Sequence, residues 1–274
     1  MTTLIAVFLF FIGTHFSVLS QLVLYLIVLL VACMICHGEI ARSKPGKERL
    51  TFFYLIIAAG GATGSLFASI IATNIFSQYY EFIVGLSLVY LFTLALNVQK
   101  LSSPQHNSSG SQKLILLGAG GLCLFLGLFY SLDSQFNKYN VYQSRNFYGT
   151  LLVKDIKDID QPQRRLIDGY TSHGAQSLST ENKPTPLSYY RLETGIGLTL
   201  SNNLNTGGNK VGIVGLGVGA LAYYGQKSDQ FIFYELNPDV ERIANGYFDY
   251  LKTSDADIKV KLGDARVNLE QEYQ

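Results

Sequence analysis

The chain has 274 residues, 48% hydrophobic, 13% aromatic and only 15% charged, with a net charge of +1. Soluble domains carry about 25% charged residues, so part of this chain avoids water. The charges gather late: residues 1–130 hold 6 of the 21 Lys and Arg and 3 of the 20 Asp and Glu, and the remainder has a soluble density with acids in slight excess. The absence of a basic run in that second half excludes the electrostatic footprint of a nucleic-acid binder. Cys33, Cys36 and Cys123 all lie in apolar stretches, which excludes a disulfide scaffold. The first basic residue is Arg42, so no cleaved secretory signal is expected.

A spanning helix needs about 20 mostly apolar residues. Runs that meet this are Val18 to Ile35, Phe52 to Ala72, Phe82 to Val98, and Leu114 to Tyr130, preceded by a short apolar stretch from Leu4 to Ile12. They predict a multi-pass α-helical membrane domain of about four helices over residues 1–131, with the lipid bilayer as its partner and the cell membrane as its location. Gly60, Gly61 and Gly64 place small residues on one face of the second run and are expected to serve helix packing. Arg42, Lys44, Lys47 and Arg49 put the first loop in the cytoplasm, and Lys100 and Lys113 in the third loop agree. Four complete crossings would then carry the second half outside. Either Leu114 to Tyr130, short and rich in glycine, does not fully cross, or the first loop is not cytoplasmic, or the second half does face outward.

Cys33-Met-Ile-Cys36-His37 fits the pattern of covalent haem attachment, but its place beside a cytoplasmic loop favours cysteines buried at a helix end.

Beyond Tyr142 the pattern turns to strands. Asn146 to Val153 and Arg164 to Ile167 read as strands with a turn at Asp168-Gly169, and Leu187 to Leu200 as a helix, giving a small β-rich part over 140–205. Residues 206–274 alternate: strand Lys210 to Val214, helix Ala220 to Gln226, strand Gln230 to Tyr234, helix from Pro238 to about Leu251, strand Ile258 to Leu262. That alternation opens a doubly wound α/β sheet, which is expected to be incomplete at Gln274.

Val211-Gly-Ile-Val-Gly-Leu-Gly-Val-Gly219 carries the strongest chemistry. Gly215, Gly217 and Gly219 sit where a strand meets a helix, so the backbone turns tightly and approaches a ligand closely. Glu235 ends the next strand, where a carboxylate accepts both hydroxyls of a ribose. Asp264 and Ala265 end the third, where an adenine amino group has an acceptor. Together they favour a nucleoside-bearing ligand. His173 has no second His or Cys at ligand spacing, so no metal is expected.

GLGVGA at 215–220, YELNPDV at 234–240 and LGDAR at 262–266, with DGYTSHGAQ at 168–176 and LSYYR at 187–191, resemble the spermidine synthase family. CHGEIARSKP at 36–45 and LTFFYLIIAAGGATGSLF at 50–67 resemble its members fused to an integral membrane domain. The resemblance implies a small β-rich domain packed on a partial Rossmann-like, methyltransferase-type domain. It implies transfer of an aminopropyl group from decarboxylated S-adenosylmethionine to a small amine acceptor, without a metal. Gly215, Gly217 and Gly219 would then cradle the methionine-derived part, Glu235 the ribose, and Asp264 and Ala265 the adenine. Gln176 and Tyr189 would serve the polyamine pocket. Soluble members often form oligomers, and an oligomer is compatible with the resemblance.

Two positions depart from the family. Val218 stands where the glycine loop has an Asp, and Tyr189-Tyr190-Arg191 places a cation where a carboxylate would sit. Both weaken polyamine recognition and leave nucleoside binding untouched, so methyl transfer from S-adenosylmethionine stays open. The family's catalytic acid lies on a fourth strand, expected beyond Gln274, which leaves the catalytic residue unknown. The expected function is a membrane-anchored transferase; the alternative is a transporter or sensor whose synthase-like domain binds a ligand without turnover.

Overall fold

A segment that leaves water must satisfy its backbone N–H and C=O groups internally, which restricts it to helices or closed barrels. The first half of this chain takes helices. The structure is a computed structural model that describes residues 17–101, 108–157, 159–169, 171–179, 183–203 and 208–272; the apolar stretch at 4–12 lies outside them. It divides into two compact units, Met1–Lys138 and Tyr139–Gln274.

The first unit holds α1 (Val18–Arg42), α2 (Leu50–Leu66, continued by a π-turn at Phe67–Ile71 and a last turn at Ala72–Ile75), α3 (Tyr80–Leu101) and α4 (Ser108–Asn137). Among the described residues four helices are thus long and apolar enough to cross a membrane, as the sequence predicts. Leu19, Leu30, Leu55 and Leu116 are each more than half exposed, the pattern of helices whose solvent is hydrocarbon. The apolar core of α4 does not fall short: Gln112–Asn137 has 26 residues, about 39 Å at 1.5 Å per residue. Its glycines do not break it, because each still donates and accepts within the helix.

Glycine packing occurs, but not where the sequence places it. A Cβ added at Gly60, Gly61 or Gly64 would meet nothing within 4 Å. The tight approach is between α3 and α4, where a Cβ on Gly118 would lie 2.5 Å from Leu94 and one on Gly121 2.9 Å from the Tyr90 hydroxyl. That hydroxyl donates to the Gly118 carbonyl at 3.0 Å, and Tyr80 Oη donates to Asp133 Oδ1 at 2.7 Å. Ile83 and Phe125 are buried in the same seam, while Val28 and Leu86 join α1 to α3. Cys33 and Cys123 are exposed on their helices rather than buried, and His37 Nδ1 donates to the Cys33 carbonyl one turn back.

The second unit contains two sheets. An antiparallel meander runs β1 (Asn140–Asn146), β2 (Gly149–Ile156), β3 (Gln163–Asp168), β4 (Thr171–Ser177). A parallel sheet of order β5-β6-β7 is made by Lys210–Val214, Gln230–Glu235 and Asp257–Leu262. The strand expected over Asn146 to Val153 is instead a hairpin turn plus part of β2. Asn146 Oδ1 accepts from the Tyr148 N–H at 2.9 Å, an Asx turn that reverses the chain within the expected strand.

The helix expected over Leu187 to Leu200 is also divided. A 3₁₀ turn at Ser188–Tyr190 is followed by extended backbone at Arg191, and α5 begins only at Gly195 (Gly195–Asn203). Gly197 packs against the Arg191 carbonyl too closely for any side chain, so the glycine that weakens a long helix is what lets the chain fold back. Between β5 and β6 a 3₁₀ turn (Ala220–Tyr224) stands in place of the expected helix, cut short at extended Gly225, which lies against Ala256. A full helix, α6 (Pro238–Tyr247), joins β6 to β7, and α7 (Ala265–Glu272) follows.

The two sheets share one apolar core. Leu151, Val153 and Leu166 of the meander are buried in one cluster with Phe231 and Phe233 of β6 and Ile243 of α6. At the base of the parallel sheet Asp229, 1% exposed, ties the start of β5 to the turn before β6. Its Oδ1 accepts from the Asn209 N–H (2.8 Å) and side chain (3.1 Å), and its Oδ2 from the Gln226 N–H (2.9 Å). Burial alone would raise this carboxyl, yet these donors hold it below the ordinary carboxylate range.

Two consequences are measurable in the full chain in detergent. Gly118→Val or Gly121→Val should destabilise the α3–α4 seam by about 1–3 kcal/mol, read as a lowered Tm, whereas Gly60→Val should leave Tm unchanged. Asp229→Asn should cost about 2–3 kcal/mol at pH 7 by setting an amide donor against backbone donors. Because the folded-state pKa is depressed, the carboxylate's contribution is complete above the unfolded value, about 4, and fades as the pH falls through the folded one. Urea melts should therefore show the difference between the two proteins shrinking below about pH 4.

Candidate functional site

The parallel sheet exposes the carboxyl ends of β5 and β6 beside the glycine loop. Gly215 (φ 91°), Gly217 (φ 56°) and Gly219 (φ 78°) all occupy the left-handed region, so the three glycines are a backbone requirement of this turn. The Gly215 N–H donates to the Tyr234 carbonyl at 2.8 Å, carrying the pairing of β5 with β6 one residue beyond the strand.

Glu235, nearly buried at the end of β6, is clamped by backbone. Its Oε2 accepts from the Leu216 N–H and its Oε1 from the Asn237 N–H, both at 2.9 Å. One carboxylate thus joins the glycine loop to the turn that starts α6, with a second lone pair free on each oxygen. Asn237 caps α6 by accepting from the Asp239 N–H at 3.0 Å, and Asn146 Nδ2 donates to the same Asn237 oxygen at 2.6 Å. The end of β1 is held against the start of α6 in this way.

β4 closes over the loop. A Cβ on Gly217 would lie 2.7 Å from the His173 carbonyl, and one on Gly174 (φ 137°) 2.5 Å from a Val218 methyl. Val218 is fully buried against that glycine and belongs to the core. What remains between meander and loop is a cavity of about 490 Å³. Gly215, Gly217, Glu235 and Asn237 line one wall; Leu166, Asp168, His173 and Tyr190 line the other. Burial, helped by neighbouring Tyr189, pushes the Tyr190 phenol up to about 12, so it stays protonated and uncharged at neutral pH.

Of the residues singled out by sequence, Gly215, Gly217 and Glu235 therefore meet at one cavity. The others do not line it. Gly219 backs onto Leu251. Asp264 accepts from the Val267 N–H at 3.1 Å, capping α7, and Ala265 is the first residue of that helix. Gln176 donates to Asp249 Oδ2 and accepts from the Asp249 N–H, both at 2.8 Å, which ties β4 to the segment after α6. Tyr189 is half exposed, donates to the Ser172 carbonyl at 3.3 Å and leans on Tyr190, which takes the cavity position instead. The sequence offers Asp168 as a turn residue and both Asp168 and His173 as part of the DGYTSHGAQ motif, with no site role for either. The alternation Leu166, Asp168 along β3, apolar then acidic on one face, was the signal that could have found the second wall.

No family model, curated protein or solved structure matches this chain. Among the described residues no three His, Cys, Asp or Glu side chains gather as a metal site.

Glu235→Gln should cost about 1–3 kcal/mol, because the amide must present its NH₂ to either Leu216 or Asn237. Hydrogen exchange should quicken at both amides while the α3–α4 seam keeps its protection. Unchanged exchange at Leu216 and Asn237 would show that the carboxylate does not hold the loop.

Proposed function

We propose that the second unit is a Rossmann-like nucleoside-binding part of a membrane-anchored transferase. Its donor is S-adenosylmethionine or the decarboxylated form, used for transfer of a carbon group, in the family's case aminopropyl, to an amine. The observation that carries this reading is Glu235, a buried carboxylate fixed by two backbone N–H groups with its free lone pairs beside a glycine loop. A ribose offers two adjacent hydroxyl donors to such a group. The residues present fit this part of the ligand, since the cavity also has the side-chain-free approach at Gly215 and Gly217. When bound, the donor supplies a sulfonium that makes the adjoining carbon electrophilic. The chain's own residues orient it: Glu235 at the ribose, the glycine loop at the methionine-derived end. Asp264 and Ala265, at the end of β7, take the adenine in this reading.

A second reading, binding without turnover in a transporter or sensor, draws on two observations. Val218 faces the core, so the glycine loop adds no carboxylate to the cavity. The 26-residue apolar core of α4 is also long enough for a complete crossing, and four crossings would put this unit on the face away from the basic loop.

Calorimetry on the full chain in detergent tests the first reading with S-adenosylmethionine, its decarboxylated form and 5′-methylthioadenosine. At least one should bind, and Glu235→Ala should weaken it tenfold or more, about 1.4 kcal/mol. No binding of any of the three would overturn the proposal. Binding with no transfer product by mass spectrometry would leave the second reading in its place.

A further inference from the structure

The first unit holds a cavity of its own. Toward their N-terminal ends α1 and α3 are in contact: the Tyr25 and Phe82 rings meet edge to face at 6.0 Å, and Val28 is buried with Leu86. Those pairs advance together along both chains, so the two helices run parallel. Beyond that contact they leave a space of about 510 Å³, the size of a site for one small ligand. Leu30, Val31, Met34 and Ile35 of α1 and Leu96 of α3 make most of its wall apolar. Leu30 and Met34 are 61% and 67% exposed, so the space is open sideways to whatever surrounds the helices. Gly38 lines it too, and an added Cβ there would meet nothing within 4 Å.

The polar part of the wall lies where both helices end. Glu39 and Arg42 belong to the last turns of α1, and Asn97 lies one turn before the end of α3. Glu39 pairs with Arg42, and the carboxylate side chain is 19% exposed while the guanidinium side chain is 72% exposed. The carboxylate therefore steadies Arg42 through one N–H, and a guanidinium has five. Asn97 Nδ2 donates to the Thr93 carbonyl at 2.8 Å and carries a second N–H. The chain leaves α1 as Arg42, Lys44, Lys47 and Arg49 against a single acid, Glu48. One end of the cavity is thus rich in cations and the rest is hydrocarbon. A soluble anion matches only the first, and an uncharged lipid only the second. A phospholipid of net negative charge matches both.

We propose that the space between α1 and α3 is a binding site for an anionic phospholipid. An acyl chain lies along Leu30, Met34 and Leu96, and the headgroup phosphate meets the Arg42 guanidinium. Glu39 is the positioning residue that holds Arg42 at the cavity, and Lys44 and Lys47 add to the positive field just beyond it. This inference rests on α1 and α3 standing in a bilayer and is independent of the nucleoside reading, which concerns the other unit.

The test places the full chain in phosphatidylcholine nanodiscs with a trace of spin-labelled phosphatidylglycerol or of phosphatidylcholine bearing the same chains. Electron spin resonance reads the fraction of label held immobile by the protein. Wild type should hold phosphatidylglycerol about fivefold more strongly, the factor that one cation near a membrane surface contributes. Arg42→Gln should bring the ratio close to unity, and Arg42→Lys should keep it. Gly38→Leu should also abolish the preference while every cation remains, because its side chain fills the space. Gly60→Leu, on the open face of α2, should leave the ratio as it is. A full preference in Gly38→Leu would mean that the basic loop attracts anionic lipid without the cavity, and the proposal would fall. Equal retention of the two lipids by wild type would overturn it as well. Loss of the preference on adding glycerol 3-phosphate would assign the site to a soluble phosphate and overturn the lipid as its occupant.

Discussion

The cavity exists because β4 comes within backbone contact of the glycine loop. Gly217 under the His173 carbonyl and Gly174 against Val218 leave no room for a single added carbon at either position. Close packing of this kind is not adjustable by small shifts, since interiors are filled to crystal-like density. The contact therefore sets how far the antiparallel meander stands from the ends of the parallel strands. It also explains why Leu166 and Phe233 share one core although they belong to different sheets. Glu235 acts from the opposite direction, drawing the loop toward the turn before α6. Between the two constraints the loop has one position, and the space left over has two walls of unlike chemistry.

How much of this was legible in the sequence depends on the range of the interactions involved. The four apolar helices were legible because each is a local property of about 20 consecutive side chains. The three parallel strands and their glycine loop were legible for a similar reason. The hairpin at Phe147-Tyr148 was not, since an Asx turn from Asn146 outweighed the strand preference of two aromatic residues. The long helix over Leu187 to Leu200 failed because Gly197 is used for contact with Arg191, a fact of folding back that no local pattern carries. Glycines in the first unit make the same point. Gly60, Gly61 and Gly64 have the spacing of a packing face, and Gly118 and Gly121 have the neighbours.

Within the candidate site the division is similar. Gly215, Gly217 and Glu235 lie at consecutive strand ends, so strand order alone brings them together. Asp168 and His173 come from a different sheet and Tyr190 from the 3₁₀ turn before α5, and only the shared core delivers them. Residues expected to touch a ligand that also hold the fold were the harder case. Gln176 spends both ends of its amide on Asp249, and Asp264 spends an oxygen on the first turn of α7. A polar side chain at a strand end can serve a ligand or a cap, and the sequence has the same letters for both.

Val218 shows how such ambiguity resolves in physical terms. A valine in a glycine loop reads as the loss of a charge that a cationic ligand would need. In the folded chain that side chain points into the core against Gly174, where an unpaired carboxylate would be costly to bury. The Asp168 carboxylate stands on the other wall, partly reached by water and without a hydrogen-bond or ion-pair partner among the described residues. The valine therefore removes one possible source of charge without removing the charge, and it adds the packing contact that keeps β4, and with it Asp168, at the cavity.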